Sequence, residues 1–281
     1  MNIVLHPLSE AKVQNHLARP SHALLIVGPR GLGKGTIAQH IASSLLNTEI
    51  ERIFGQPHLR YITSGKEQSI SIETMRELEH FLALRVPGSQ NRVVVIEDAH
   101  SLTTEAQNAI LKTLEEPPER TFLILTAAHE QSLLPTIRSR MTVLPLQRPN
   151  PQMLHDYFAG LGYTSTAIQK SQLMSGGLPG LMAALLQDDT DHPLTAAAAT
   201  AREIIQKSTF ERLAMVDQLA KQKQYALDVL AIMQQMAHVA LSGSKPAKIW
   251  QRILAQGYQA TEQLLQSGQP KLVLTNLMLN L

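Results

Sequence analysis

Residues 24–36 read LLIVGPRGLGKGT, an apolar run that breaks into a glycine-rich turn, a lysine and the start of an amphipathic stretch. The pattern G-x-x-x-x-G-K is met by Gly28, Gly33 and Lys34, the spacing at which a loop between a strand and a helix wraps its amide groups around phosphate. Gly28, Gly31 and Gly33 permit the backbone conformations that the wrap requires, and Lys34 would reach the terminal phosphates. The next position, where a Ser or Thr hydroxyl ordinarily meets Mg2+, is Gly35. Thr36 comes one residue late, and one residue on a helix is a rotation of about 100°, which turns it away from the metal. The loop therefore reads as a phosphate binder whose metal arm is altered.

A second chemical block is RVVVIEDAH at 92–100. Consecutive β-branched residues from Val93 to Ile96 suit a strand buried on both faces of a parallel sheet. Glu97 and Asp98 then fall at its C-terminal edge, where open α/β sheets place their ligands and where an acid can hold Mg2+ or polarise a water. A further buried strand at 121–126 ends in Thr126, whose hydroxyl is a candidate to sense a γ-phosphate. Arg138 and Arg140, in LLPTIRSRM, stand near a helix end before a last strand at 141–146.

These groups need a frame. Helix and strand signals alternate to about residue 148 and become helical only beyond it, which predicts an α/β unit followed by all-α structure. A first helix over 8–17 should turn Leu8, Ala11, Val13 and Leu17 inward, and the loop's own helix should run over 34–46. A strand is expected at 58–63 and a helix over 72–84 with Ile72, Met75, Leu78 and Leu82 on one face, closed by Pro87 and Gly88. Ser101 or Thr103 should cap a helix with the stripe Ala106, Ile110 and Leu114, stopped by Pro117 and Pro118. Pro149 and Pro151 mark a hinge, helices follow at 153–161, at 168–174 and after Pro179, and the polar segment 188–193 precedes a helix at 194–207. Apolar stripes then recur to the end, including Val216, Leu230, Met233, Ile249, Leu265 and Leu272.

Composition narrows the classes. With 44% hydrophobic and 17% charged residues the chain is globular, and 281 residues suffice for two or three domains. Zero cysteines exclude disulfides and thiolate zinc sites. The eleven histidines fall in no H-x-x-x-H or H-E-x-x-H pair on a predicted helix, so no metal centre is expected. No secretory leader and no apolar run of about 18 residues is visible, so a cytoplasmic location and no membrane partner are expected. A net charge of +2, scattered basic residues such as Arg76, Arg85 and Lys112, and 4% aromatics offer no distinct nucleic-acid track.

The combination HALLIVGPRGLGKGT, ISIETMREL, RVVVIEDAHSLTTEAQNAILKTLEEPPERT, LLPTIRSRM and the terminal QPKLVLTNLML resembles the delta-prime subunits of bacterial DNA polymerase III clamp loaders over most of the chain. The most specific part is NAILKTLEEPP at 108–118, followed at the family's distance by Ser139, Arg140 and Met141. The resemblance implies an AAA+ P-loop module at 1–148, a three-helix lid at 149–189 and a helical collar at 190–281 that joins five subunits in a ring with motor and delta subunits. Such rings use ATP to place a sliding clamp on primer-template DNA. Arg140, assisted by Ser139, would be an arginine finger acting in trans on a neighbour's ATP.

Departures from the motor pattern agree with one another. Gly35 replaces the metal-binding hydroxyl, Glu97-Asp98 inverts the usual Asp-Glu order, and the lid segment SGGLPGLMAALL has Gly180 and Leu181 where an active site would present arginine. These predict weak or absent hydrolysis without excluding ATP, and Mg2+ only together with it. The family's frequent four-cysteine zinc module is missing, and residues 47–57 fill that gap. Three readings stay open: a non-motor subunit donating Arg140, a gamma/tau-like ATPase using Lys34 with Glu97 or Asp98, and a P-loop small-molecule kinase, which the long helical second half disfavours.

Overall fold

The computed structural model describes residues 4–64, 69–84, 88, 90–189, 192, 194–241, 248–266 and 268–281. Pro87, Arg85 and part of the 188–193 break lie outside them. The chain divides into two compact units, Met1–Gln147 and Arg148–Leu281.

The first unit is built on five parallel strands, β1 (Ala23–Val27), β2 (Leu59–Ile62), β3 (Arg92–Ile96), β4 (Thr121–Ala127) and β5 (Thr142–Pro145), in the order β2-β3-β4-β1-β5. Around them lie α1 (Pro7–Ala18), α2 (Lys34–Leu45), α3 (Ile72–Ala83), α4 (Thr104–Glu115) and the single turn α5 (Pro135–Arg138). The period of two along each strand sorts the side chains between two cores. Leu24, Ile26, Val93, Val95 and Ile124 pack with Val13 of α1 and with Ile37, Ala38 and Ile41 of α2. Leu25, Val94, Ile96, Leu123 and Leu125 pack with Met75 and Leu78 of α3 and Ile110 and Leu114 of α4. This is why the strands read as unbroken apolar runs: helices cover both faces.

The register sets out the functional edges. Val27 pairs with Ala127 and with Pro145, while Leu24 pairs with Thr142. All strands run the same way, so the segments after β1, β3 and β4 gather on one edge of the sheet. The segments entering β4 and β5 gather on the other.

Two expectations are corrected here. Helix α1 buries Ser9, Val13 and His16, whereas Leu8 is 56% exposed. A polar residue takes the inner position because Ser9 Oγ accepts a hydrogen bond from the Gln147 amide at 2.7 Å, tying α1 to the segment after β5. In the helical half, Val216, Leu230 and Met233 are buried, but Ile249, Leu265 and Leu272 point outward, at 41%, 61% and 67% exposure. Between Ser101 and Thr103 the cap of α4 is Thr103, whose Oγ1 accepts from the Ala106 amide.

The second unit contains α6 (Pro151–Gly160), α7 (Ser165–Ser175), α8 (Pro179–Leu186), α9 (Thr195–Gln206), α10 (Thr209–Leu219), α11 (Lys223–Leu241), α12 (Lys248–Leu265) and α13 (Pro270–Asn280). Val229, Leu230, Met233 and Met236 of α11 form the middle of one core shared with α9, α12, α13 and with Leu178 and Leu181 around α8. Asn150 and Thr164 cap α6 and α7, and Ser208 with Glu211 forms a reciprocal capping box on α10.

Candidate functional site

The loop between β1 and α2 has the geometry of a phosphate cradle. Gly31 and Gly33 take φ values of 80° and 88°, a region that side-chain-bearing residues rarely enter. Gly33 is the N-cap of α2 and offers no side chain to its first amides, which leaves the N-terminal end of the helix dipole to the loop. Gly28 has a different reason to be glycine: a Cβ there would press on Leu32 and Leu146 at 3.0 and 3.4 Å. Lys34 is 6% exposed, and its Nζ donates to the carbonyls of Gly28 at 2.8 Å and Pro29 at 3.1 Å. Burial pulls its amine down to about 8, assisted by Arg30 and opposed by the charges of Asp98 and Glu97.

Glu97 and Asp98, adjacent in sequence, diverge in space. Glu97 reaches back over α2: a Cβ on Gly35 would lie 1.8 Å from Glu97 Oε1 and 2.9 Å from its Cδ. Burial pushes the Glu97 carboxyl up, against a hydrogen bond from the Tyr61 hydroxyl that favours the ionised form. Asp98 stands in the left-handed region at φ 50°, its amide donating to Thr126 Oγ1 at 3.0 Å and its carboxylate 3.7 Å from Arg30. Thr126 is completely buried beneath this turn. Thr36, on the first turn of α2, is exposed.

Gly28, Gly31, Gly33, Lys34, Gly35, Glu97, Asp98 and Thr126 are thus brought to one edge of the sheet. The cradle fits phosphate groups. A magnesium ion carried with them takes most ligands from phosphate and water and needs one or two carboxylates, a requirement the half-buried Glu97 fits. Among the described residues no group of three His, Asp or Glu comes together to hold a metal by itself.

Ser139 and Arg140 lie on the opposite edge. Arg140 Nη2 pairs with Glu115 Oε1 at 2.6 Å, and Nη1 donates to the Thr136 carbonyl at 3.0 Å and to Ser139 Oγ at 3.2 Å. The serine hydroxyl itself donates to the Thr136 carbonyl. Met141, the residue before β5, is buried in the core next to the turn that carries them. Sequence reasoning missed Glu115, the partner of Arg140, and Tyr61, the neighbour of Glu97. Tyr61 was legible as a strand residue, but its place beside β3, opposite Val95, follows only from the strand order.

A glycine cradle after the first strand of a doubly wound parallel sheet, an acidic turn two strands away and a helical second unit define an AAA+ P-loop protein. The structure resembles a DNA polymerase III gamma-subunit-related protein of Thermotoga maritima, with a TM-score of 0.54 at 17% identity over 96% of this chain and 97% of that one. The family model for the DNA polymerase III delta subunit matches residues 5–150, and the chain belongs to that family. Similar curated relatives are the DNA polymerase III delta-prime subunits of Pseudomonas aeruginosa, 28% identical over 58% of this chain, and of Escherichia coli, 30% identical over 66%. The chain spans 55% and 60% of the length of these two relatives. Among the described residues no helix is long and apolar enough to cross a membrane.

Proposed function

We propose that this protein is a delta-prime-like clamp-loader subunit that joins motor and delta subunits in a five-membered ring and donates Arg140 to a neighbour's nucleotide. The observation that carries the reading is the position of Arg140, two residues before the strand start that pairs with Leu24, whereas the phosphate loop begins beyond Val27. The length of β1 separates the guanidinium from its own cradle, so a phosphate that it reaches belongs to another molecule. A guanidinium carries a fixed charge and a planar fork of donors suited to γ-phosphate oxygens. Glu115, Ser139 and the Thr136 carbonyl hold it at the surface without burying it.

In its own site, Lys34 and the first amides of α2 would hold the phosphates of ATP, and Glu97 would face the accompanying Mg2+. That ion, when bound, neutralises charge on the phosphates. Hydrolysis by this chain is weak or absent: Asp98, the acid placed to polarise a water, faces Arg30 from a left-handed turn. Residues 149–189 act as a lid and 190–281 as the collar that contacts the ring. The sliding clamp and primer-template DNA are indirect partners, and the setting is cytoplasmic. A gamma/tau-like motor is the second reading, favoured by the intact cradle around Lys34.

The test is ATP turnover by the purified chain, alone and mixed with a motor subunit. No turnover alone, with turnover in the mixture that survives Lys34→Ala and falls about 100-fold at the neighbouring site with Arg140→Ala, supports the proposal. Robust Lys34-dependent turnover by the chain alone makes it a motor.

A further inference from the structure

Two departures from the usual phosphate-loop pattern meet at one point. On α2 the hydroxyl-bearing side chain is gone, leaving Gly35, and at the end of β3 the acid is a glutamate, one methylene longer than aspartate. The extra reach is used: Glu97 Oε1 stands 1.8 Å from where a Cβ of residue 35 would be. Any side chain at 35 must displace this carboxylate, and an aspartate at 97 would fall short of the space.

The carboxylate is held there by neighbours. The Tyr61 hydroxyl donates to Glu97, and Gln39 Nε2 donates to Tyr61 Oη at 3.3 Å, so α2, β2 and β3 are linked through one chain of hydrogen bonds. Burial and the nearby Glu97 carboxylate push the Tyr61 phenol up, which keeps it a donor. Phe54 meets the Tyr61 ring edge-on, with centroids 5.2 Å apart, and fixes its orientation.

We propose that Gly35 and Glu97 are an exchanged pair, in which the Glu97 carboxylate, held by Tyr61, takes the place of the missing α2 hydroxyl and is the protein ligand of the cation that accompanies nucleotide. Tyr61 is its positioning residue. The proposal rests on the reading that the loop binds nucleotide at all, and it makes the metal arm relocated, not lost. Retained cation binding is compatible with weak hydrolysis, because the water-polarising role falls to Asp98, which is turned toward Arg30.

The experiment is equilibrium ATP binding to the full chain with and without Mg2+, with Mn2+ paramagnetic resonance as a direct reading of the cation. In the natural protein Mg2+ tightens ATP binding. The isosteric Glu97→Gln abolishes that gain and keeps metal-free affinity, and Tyr61→Phe reduces the gain by about tenfold, as loss of a supporting hydrogen bond to a metal ligand does. Gly35→Thr and Gly35→Ala each lose the gain by displacing the carboxylate. Gly35→Thr combined with Glu97→Asp restores it, and unfolding curves identify any variant that fails to fold. Full Mg2+ dependence in Glu97→Gln, or in Gly35→Thr alone, overturns the exchange while nucleotide binding stands. No ATP binding by the natural chain under either condition overturns nucleotide binding and the exchange with it.

Discussion

Lys34 makes the phosphate loop unstable in a way that pH can expose. Its amine, ordinarily near 10.5, is drawn to about 8 by burial, and it is 6% exposed. Below pH 8 both the folded and the unfolded chain carry the proton, and the fold bears the whole cost of enclosing an ammonium. From about pH 8 to 10.5 the unfolded chain keeps a proton that the folded chain has released, so stability rises with pH across that window. At about 1.36 kcal/mol per pH unit the interval amounts to ~3 kcal/mol. Lys34→Met keeps the aliphatic stem and removes the titration. The stability of the natural chain relative to Lys34→Met should therefore climb by ~3 kcal/mol between pH 7 and 10.5.

The assay is urea unfolding of both proteins at several pH values, followed by far-ultraviolet circular dichroism. Trp250, the single tryptophan, belongs to the second unit, so its fluorescence serves as an internal control whose transition should not differ between the two proteins. A relative stability that stays flat, or that falls as pH rises, would refute the burial of a charged lysine. The same logic predicts that ATP, by placing negative charge beside Nζ, raises the amine's pKa, and that its affinity weakens once the pH passes 8.

Gly176→Ala should destabilise the second unit by about 2–4 kcal/mol, because φ there is 63° and a Cβ would lie 2.0 Å from Gln235 Cβ and under 3 Å from its backbone; Trp250 fluorescence in urea reads the effect. Glu115→Ala should change unfolding stability by no more than ~1 kcal/mol, since the ion pair with Arg140 is half-exposed. In the mixture with a motor subunit, however, the same variant should lower ATP turnover in the direction of Arg140→Ala; unchanged turnover would remove Glu115 from the placement of the arginine.

Features written into consecutive residues were legible in the sequence. The β-branched run of β3, the Thr103 cap and stripe of α4, and the glycine-lysine spacing of the cradle each depend on neighbours within a turn or two, and each stands where local pattern puts it. What depends on distant partners was not. The inner face of α1 was only half legible: Val13 and Leu17 pack inward as their spacing predicts, but Leu8 and Ala11 are exposed and Ser9 is buried for a hydrogen bond to residue 147, which no helical period announces. Arg92 reads as a charged strand start, yet it is 3% exposed, with its guanidinium donating to the carbonyls of Leu82 and Leu84 at the end of α3 and lying over the Phe81 ring. Ile249, Leu265 and Leu272 continue apolar stripes without joining the core, since a stripe wider than its contact leaves an outer edge.

The same distinction bears on how an altered motif should be judged. Read along the chain, Gly35 and the inverted Glu97-Asp98 are two separate losses, each lowering the expectation of metal binding. In space they are not independent, because the carboxylate of one fills the side-chain position of the other. A side chain at 35 would have to move the Glu97 carboxylate from its present place, and an aspartate at 97, one methylene shorter, would not reach it, so under the proposal the two changes belong together. Counting departures residue by residue therefore overstates the damage to the metal arm. It does not overstate the damage to the water-polarising arm, where Asp98 stands in a left-handed turn with its carboxylate 3.7 Å from Arg30. Under the proposal, binding and hydrolysis separate at this point: the cation arm of the cradle and its water-polarising arm rest on different carboxylates, Glu97 and Asp98.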